Sequence, residues 1–160
     1  MNLPFRVVLI EPEIPANTGN IGRTCVGVEA ELHLVGQLGF TLTDRRLKRA
    51  GLDYWPYLTF AHHPTWEQWW SKVEDPSRVF FFSTKATKTL HQAKFRPGDW
   101  FVFGKETSGL GPAIVEQHRE SLLKIPMTGP IRSLNLATSV AVVLFEAFRQ
   151  TEGLVQPPLT

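Results

Sequence analysis

The stretch FRVVLIEPEIPANTGNIGRTCVGVEAELHLV, residues 5–35, decides the fold class. It begins with the run FRVVLI at Phe5–Ile10, rich in β-branched residues and apolar except for Arg6, which is typical of a strand buried on both faces of a parallel sheet. Two prolines end this run, and a polar segment that can start a helix follows. A second apolar run at Leu32–Val35 predicts the next strand. The stretch therefore predicts one βαβ unit.

The rest of the chain continues this alternation of helices and strands. The patterns predict helices at Thr43–Ala50, Thr65–Val73 and Leu134–Gln150, a helix start at Pro112, and strands at Val79–Phe82, Trp100–Phe103 and Leu122–Ile125. This order argues for an α/β fold, a mostly parallel sheet with helices on both faces. No repeat or linker divides the chain, so we expect a single domain over residues 1–160 with a frayed tail after Gly153.

The composition limits the classes of function. The 160 residues carry 17 basic and 15 acidic side chains, so any RNA would be bound through a local patch rather than by overall charge. The single cysteine, Cys25, excludes an internal disulfide framework and a multi-cysteine zinc site. The N-terminus lacks a signal-peptide pattern, and the longest apolar run, Val140–Phe145, is too short to span a membrane. We expect a cytoplasmic protein that does not enter membranes.

Several familiar sites fail on spacing. Leu110 stands where a P-loop needs a lysine, and the glycines around it do not complete a dinucleotide fingerprint. No HExxH motif exists, and the adjacent His62 and His63 point differently on any regular element, so we expect no metal. No serine lies in a GxSxG elbow. Ligands of open α/β sheets bind beyond the carboxyl ends of the strands, so we look for chemistry in the loops after Ile10, Phe82, Phe103 and Ile125.

The first loop leads into a helix that we expect to reach about Val28. Asn17 or Thr18 can cap this helix, but a cap needs only one of them. Arg23 falls in the first turns, where the helix dipole disfavours a cation. These residues therefore indicate a function besides capping.

Two later segments are equally unusual. FGKETSGLG (103–111) has three glycines around Glu106, although a plain turn needs one, and this predicts either a close approach of the backbone to another group or unusual backbone dihedrals. IPMTGPIRSLNLATSVAVVLFEAF (125–148) leads into a helix that Ser133 or Asn135 would cap. That helix is apolar nearly all round, which predicts burial against its own domain and a partner chain.

Together these segments resemble a known family. NTGNIGRT (17–24), FGKETSGL (103–110) and IPMTGPIRSLNLATSVAVVLFEA (125–147), in this order, are similar to the three signature motifs of the SPOUT (SpoU-type) RNA 2′-O-ribose methyltransferases. EPEIPANTGN (11–20) and RRLKRAGLDYW (45–55) resemble the members that act on the tRNA wobble pyrimidine. The resemblance implies a homodimer with a deep C-terminal trefoil knot at its interface, whereas topology rules alone predict an unknotted Rossmann-like sheet.

The resemblance also implies S-adenosylmethionine as cofactor, tRNA as partner, and a role for each matching residue. The implied cofactor contacts are Phe82, Gly104, Glu106, Ile125, Met127, Ser133 and Leu134. Arg23 matches the catalytic arginine and Asn17 the asparagine that positions it, while Ser133 and Asn135 match the polar pair that closes the site. Since a guanidinium keeps its proton in nearly all proteins, we expect Arg23 to stabilise the developing alkoxide and clamp a phosphate.

Some alternatives stay open. The exposed-looking basic segment is either a tRNA contact or a solvated helix face, and it comprises Arg45, Arg46, Lys48 and Arg49. Three tryptophans on one predicted helix face favour core packing over base stacking, and Cys25 and His33 are expected to pack. The rival functions are 2′-O-methylation of another tRNA or rRNA site, a non-catalytic knotted RNA-binding protein, and a Rossmann-type nucleotide enzyme.

Overall fold

A computed structural model describes residues 3–51 and 53–153, so the expected frayed tail after Gly153 lies outside the described residues. The strands are β1 (Arg6–Ile10), β2 (Glu31–Val35), β3 (Phe60–His63), β4 (Val79–Phe82), β5 (Trp100–Phe103) and β6 (Leu122–Leu123). The α-helices are α1 (Pro15–Gly27), α2 (Arg45–Gly51), α3 (Trp66–Trp70), α4 (Pro112–Gln117) and α5 (Leu136–Phe148). A short 3-10 turn, Trp55–Tyr57, follows α2, and a π-helical segment, Arg149–Gly153, follows α5.

The six strands form one sheet in the order β3-β2-β1-β5-β4-β6, and every neighbouring pair is parallel. β1 lies at the centre, where Val7 pairs with Leu32 on one side and with Phe101 on the other. This arrangement confirms the predicted parallel α/β sheet. It also brings the carboxyl ends of all strands to one edge. The trefoil knot stays a prediction.

Side chains alternate between two cores, one on each face of the sheet. Along β1, Val7 and Leu9 enter a core that α1 and α5 cover, whereas Val8 and Ile10 enter a core that α3 and α4 cover. Since successive strand residues point to opposite faces, a strand buried on both faces must be apolar throughout. The predicted helices on both faces are therefore confirmed. No helix in the described ranges is both long and apolar enough to cross a membrane.

α1 and α2 pack closely because α1 carries a glycine at the contact. A Cβ atom on Gly19 would overlap the Cβ of Ala50 and would lie 2.9 Å from the Leu47 carbonyl oxygen. Leu47, a residue of α2, has a fully buried side chain. The Tyr54 hydroxyl lies within hydrogen-bond reach of the carbonyl oxygens of both Gly19 and Ala50, so one side chain joins the two helices. Gly19 in the NTGN motif thus has a packing role.

The predicted capping of α1 is wrong. The helix begins at Pro15 with Ile14 in the N-cap position, and no side chain of its own segment caps it. Asn17 and Thr18 lie inside the first turn and are buried. The Asn17 side chain instead makes tertiary contacts, which are described below, whereas the buried Thr18 hydroxyl has no hydrogen-bond partner among the described residues.

The other helix starts follow local rules. Asp44 accepts a hydrogen bond from the Arg46 backbone at 2.8 Å, and Thr65 forms a capping box with Gln68 at the start of α3. At α5, Asn135 caps by accepting from the backbone N–H groups of Ala137 and Thr138, so Ser133 does not cap. All three helices are shorter than predicted.

Two strand predictions need correction. β6 spans two residues only, Leu122–Leu123, because the next residue, Lys124, forms an isolated parallel bridge with Thr89 instead of pairing with β4. The prediction omitted β3, Phe60–His63, which pairs with β2 at the edge of the sheet. β3 reads FAHH and so shows no continuous apolar run. An edge strand needs apolar residues at fewer positions than a central strand, and such a strand is harder to recognise from sequence.

Candidate active site

A cavity of about 920 Å³ opens at the carboxyl edge of the sheet, between the loops that follow β4, β5 and β6. This volume is in the range of ligand pockets in proteins. Every residue predicted to contact a cofactor lines it: Phe82, Gly104, Glu106, Ile125, Met127, Ser133 and Leu134. Its walls combine apolar side chains with the backbone of a glycine-rich loop. A ligand that contains a flat apolar ring with polar edges would fit between such walls.

The loop after β5 folds tightly on itself. A Cβ atom on Gly104 would overlap the backbone of Gly109 and Leu110, so only glycine fits at this position. The Gly109 N–H donates to the Lys105 carbonyl oxygen at 2.9 Å. Gly109 and Gly111 have φ angles of 69° and 84°, in the left-handed region that favours glycine. The predicted close backbone approach is therefore partly internal, and the closed loop forms one wall of the cavity.

Glu106 leaves this loop to cap α1. Its two carboxylate oxygens accept hydrogen bonds from the backbone N–H groups of Glu13 at 2.8 Å and Ile14 at 2.7 Å. One of them also accepts from Asn17 Nδ2 at 3.2 Å. A negative charge at a helix N-terminus is stabilised by the unpaired N–H groups and the helix dipole. The cap that the first motif lacks is thus supplied 93 residues away along the chain.

Glu13 makes the reciprocal contact. Its carboxylate accepts hydrogen bonds from the hydroxyl of Thr107 at 2.7 Å and from the Thr107 backbone N–H at 3.1 Å. These hydrogen bonds, first that from the Thr107 side chain, hold the pKa of Glu13 below its ordinary value. Glu13 and Glu106 thus each place a carboxylate on the loop that carries the other. This exchange fixes the first loop against the second.

Asn17 connects all three predicted motifs. Its Nδ2 donates to Glu106, and its Oδ1 accepts from Asn135 Nδ2 at 3.2 Å. Asn135 in turn caps α5. Asn17 is 7% exposed, so water cannot replace both partners easily. The first-motif asparagine therefore ties the start of α1 to the start of α5 beside the cavity.

Arg23 is the one predicted site residue that the structure does not bring to the cavity. It lies on an exposed face of α1, with its guanidinium carbon 5.5 Å from the centre of the Tyr54 ring. Asn17, Ser133 and Asn135 do line the cavity. Arg23 comes six residues after Asn17, which is about 9 Å along the helix axis. Arg23 thus faces solvent beside the cavity rather than inside it.

Sequence reasoning missed several cavity residues. Lys85 and Lys124 add positive charge to its rim, and Phe103 and Leu110 add apolar wall. Lys85 follows the end of β4, and Lys124 follows β6. The rule that ligands bind at strand ends indicates the loop that holds Lys85, but it does not single out a residue there.

The remaining candidates pack, as predicted. Burial raises the pKa of the Cys25 thiol, which makes it a poor nucleophile. His33 Nδ1 lies 2.9 Å from His63 Nε2, and its Nε2 lies 2.9 Å from Glu31. Trp69 is fully buried, with Trp66 and Trp70 packed against the same core. Across the described ranges, no group of three metal-ligating side chains comes together.

The chain belongs to the SpoU rRNA methylase family, whose model matches residues 4–145. It is 49% identical over 148 residues to the tRNA (cytidine(34)-2′-O)-methyltransferase of Burkholderia pseudomallei (strain 1106a), covering 91% of this chain and 95% of that protein. These figures cover nearly the whole of both proteins.

Solved structures agree with this assignment. One, determined for insight into the 2-OH methylation of C/U34 on tRNA, is 43% identical, has a TM-score of 0.85, and covers 94% of this chain and 92% of that chain. The SpoU methyltransferase AviRb from Streptomyces viridochromogenes, solved in complex with the cofactor AdoMet, has a TM-score of 0.82 at 23% identity, covering 94% of this chain and 58% of that one. The second likeness supports the fold alone.

Proposed function

We propose that this protein transfers a methyl group from S-adenosylmethionine to the ribose 2′-hydroxyl of a wobble pyrimidine in tRNA. The observation that carries the proposal is the meeting of the three motifs around one cavity, through the hydrogen bonds of Asn17 to Glu106 and Asn135. The relative from Burkholderia pseudomallei bears the name of this activity over nearly its full length. Membership of a methylase family agrees with the reaction type.

The cavity fits S-adenosylmethionine in size and in wall chemistry. Phe82, Ile125 and Leu134 offer apolar surface for its adenine ring, while backbone groups beside Gly104 and Met127 offer hydrogen bonds. When bound, the cofactor supplies a methyl group on a sulfonium centre. Glu106 lines the cavity, but its carboxylate oxygens are occupied by α1. We therefore assign Glu106 to holding the pocket's shape.

Arg23 acts on the RNA in this proposal. Its exposed position suits a substrate that approaches from solvent, and its guanidinium would stabilise the alkoxide or clamp the neighbouring phosphate. Ser133 and Asn135 close the cavity from the start of α5. Orientation of the ribose hydroxyl is the main source of rate enhancement, since the enzyme's part is to hold the two reactants in line.

The tRNA would be gripped partly by α2. Leu47 anchors this helix in the core, and its exposed side chains are those of the basic segment: Arg45, Arg46, Lys48 and Arg49. Arg46 is partly neutralised by Asp44, which lies 3.2 Å away. The other cations are available to phosphates, and this favours the tRNA contact over a merely solvated face.

A homodimer through the C-terminal knot region, acting in the cytoplasm, completes the proposal. α5 buries Val140, Val143, Leu144 and Ala147 within its own chain, yet Phe145 on its outer side is 54% exposed. Ile131, in the loop before α5, is 58% exposed. Exposed apolar side chains of this size on a closing helix suit a second copy of the chain. One domain per chain, over residues 1–160, is part of this proposal.

The test is transfer of labelled methyl from S-adenosylmethionine to bulk unmodified tRNA, followed by nucleoside mapping. Label in a 2′-O-methylated wobble pyrimidine is the expected result. Label at another tRNA position, or in rRNA only, would redirect the substrate. Cofactor binding with no transfer to any RNA would instead support the non-catalytic RNA-binding protein.

A further inference from the structure

Tyr57 is presented to solvent by a well-supported turn. Its side chain is 78% exposed, more than that of any other large hydrophobic residue in the described ranges. The turn is held by the Tyr57 N–H, which donates to the Tyr54 carbonyl oxygen at 2.8 Å, and by Pro56 at its second position. Trp55 packs on Phe60, with ring centres 5.4 Å apart. Tyr57 therefore projects a largely exposed aromatic ring from this turn.

This turn is attached to the helix that carries Arg23. Gly22 lies against Tyr54, Trp55 and Leu58, so the turn sits on α1 one residue from Arg23. The Tyr54 ring lies beside the Arg23 guanidinium, and its hydroxyl fixes the turn to both α1 and α2. Tyr57 thus belongs to a turn that is fixed to α1 beside Arg23.

Most charged side chains around this turn are cationic, although Asp53, just before it, is an exposed carboxylate. The neighbouring α2 exposes Arg45, Lys48 and Arg49, which form no ion pair within the described part of the chain. A protein interface usually centres on a contiguous apolar patch with few charges. A lone exposed aromatic ring among cations matches the way proteins hold single-stranded nucleic acid, with bases stacked on rings and phosphates paired with basic groups.

We infer that Tyr57 is a stacking platform for an unpaired RNA base that flanks the methylated nucleotide. This rests on the proposed function, in which Arg23 engages the phosphate next to the reacting ribose. The base on the neighbouring nucleotide then falls over the turn that Tyr54 fixes to α1 and α2. Tyr57 contributes RNA affinity and substrate choice, and it takes no part in holding the cofactor.

The first test compares Tyr57→Ala with the matched control Tyr57→Phe. We expect Tyr57→Ala to weaken binding of an anticodon stem-loop RNA by about 5- to 150-fold, the range for loss of one base–aromatic stack. Tyr57→Phe keeps the ring and should stay within about twofold of wild type. Affinity for S-adenosylmethionine should be unchanged in both variants. Since the side chain is exposed, neither variant endangers folding.

The second test removes the base instead of the ring. Stem-loop RNAs with an abasic site at each position flanking the wobble nucleotide are bound to wild type and to Tyr57→Ala. If Tyr57 stacks on one of these bases, that abasic site weakens binding to wild type but has no further effect on Tyr57→Ala.

Three results would overturn the inference. The first is an RNA affinity of Tyr57→Ala equal to that of wild type, and the second is a changed oligomeric state in Tyr57→Ala. The third is that every abasic site weakens RNA binding to Tyr57→Ala by the same factor as it weakens binding to wild type. The failure of the proposed function looks different. In that case wild type binds the stem-loop but transfers no methyl group to it, and the stacking comparison can still be read from binding alone.

Discussion

Asn17 uses both ends of one side-chain amide, and each end is matched to its partner. The amide nitrogen faces a carboxylate of Glu106, and the amide oxygen faces the amide nitrogen of Asn135. An aspartate has the same shape but carries acceptors only. At this residue, therefore, the hydrogen-bond pattern and not the size of the side chain determines which substitutions are tolerated.

Asn17→Asp should destabilise the protein more than Asn17→Ala at neutral pH. The new carboxylate oxygen would replace the Asn17 Nδ2 donor, which lies 3.2 Å from a Glu106 carboxylate oxygen. Two negative charges at this distance repel each other. We expect Asn17→Ala to lower the free energy of unfolding by about 1–3 kcal/mol through its unpaired partners. Urea denaturation at pH 7 and pH 5 measures both. Equal stability of the two variants at both pH values would contradict the like-charge argument.

Arg23→Ala should abolish methyl transfer while leaving S-adenosylmethionine binding within about twofold of wild type. The reason is position, because Arg23 lies outside the cavity on an exposed face of α1. Titration calorimetry with the cofactor and single-turnover transfer to tRNA separate the two effects. The exposed Arg119 is a suitable control, since Arg119→Ala removes the same charge on the far side of the sheet. Retained turnover in Arg23→Ala would exclude the catalytic role.

Helix α1 shows how an element can depend on distant residues. Its start is capped by Glu106 and its side is packed through Gly19 onto α2. The caps Asp44, Thr65 and Asn135 follow a local pattern, because each side chain bonds a backbone N–H two or three residues further on, although the sequence left Ser133 and Asn135 as alternatives for α5. Local sequence could not predict the cap of α1, because nothing near Ile14 marks a carboxylate that arrives from another loop.

Gly19→Ala tests the packing of α1 on α2. Alanine favours a helix by about 1 kcal/mol over glycine, but its Cβ would overlap Ala50. Overpacking of this kind costs about 1–3 kcal/mol, so we expect a net loss of stability. Gly27→Ala is the matched control, because nothing lies within 4 Å of a Cβ there. It should be neutral or stabilising. Urea midpoints compare the two, and equal shifts would show that Gly19 makes no special contact.

At the scale of the molecule, apolar runs such as Phe5–Ile10 and Trp100–Phe103 were enough to predict a parallel α/β sheet. The pattern could not give the strand order, since β1 and β5 are separated by some 90 residues and no periodicity records which strands pair. The residues that the resemblance gave as cofactor contacts all line the cavity, and their role in binding stays a prediction. The resemblance could not show that the carboxylates of Glu106 and Glu13 each accept hydrogen bonds from the loop that carries the other.

The edge of the sheet should make stability depend on pH. His33 joins β2 to β3 through His63, with Glu31, Arg6 and Lys72 as the charged groups around the pair. Burial, the largest cause, lowers the pKa of both histidines. The unfolded chain then binds more protons, so stability should fall as pH drops below about 6.5 towards the folded pKa values.

Thermal melting of wild type, His33→Leu and His62→Gln between pH 8 and pH 5 measures this dependence. His33→Leu removes a buried titrating group and should flatten the slope. His62 is exposed, and glutamine can still donate to the Gly36 carbonyl oxygen, so His62→Gln should keep the wild-type slope. An unchanged slope in His33→Leu would assign the pH dependence to other groups.

The central place of β1 has a consequence for how the protein is made. Synthesis on the ribosome releases β1, β2 and β3 first, and these can pair at once. The other edge of β1 stays unpaired until Trp100–Phe103 is synthesised, and the start of α1 stays uncapped until Glu106 is synthesised. During that interval the nascent chain displays an open, apolar strand edge, the feature most prone to aggregation and to slow, non-local folding. Chaperones that shield emerging chains should therefore matter most before β5 leaves the exit tunnel.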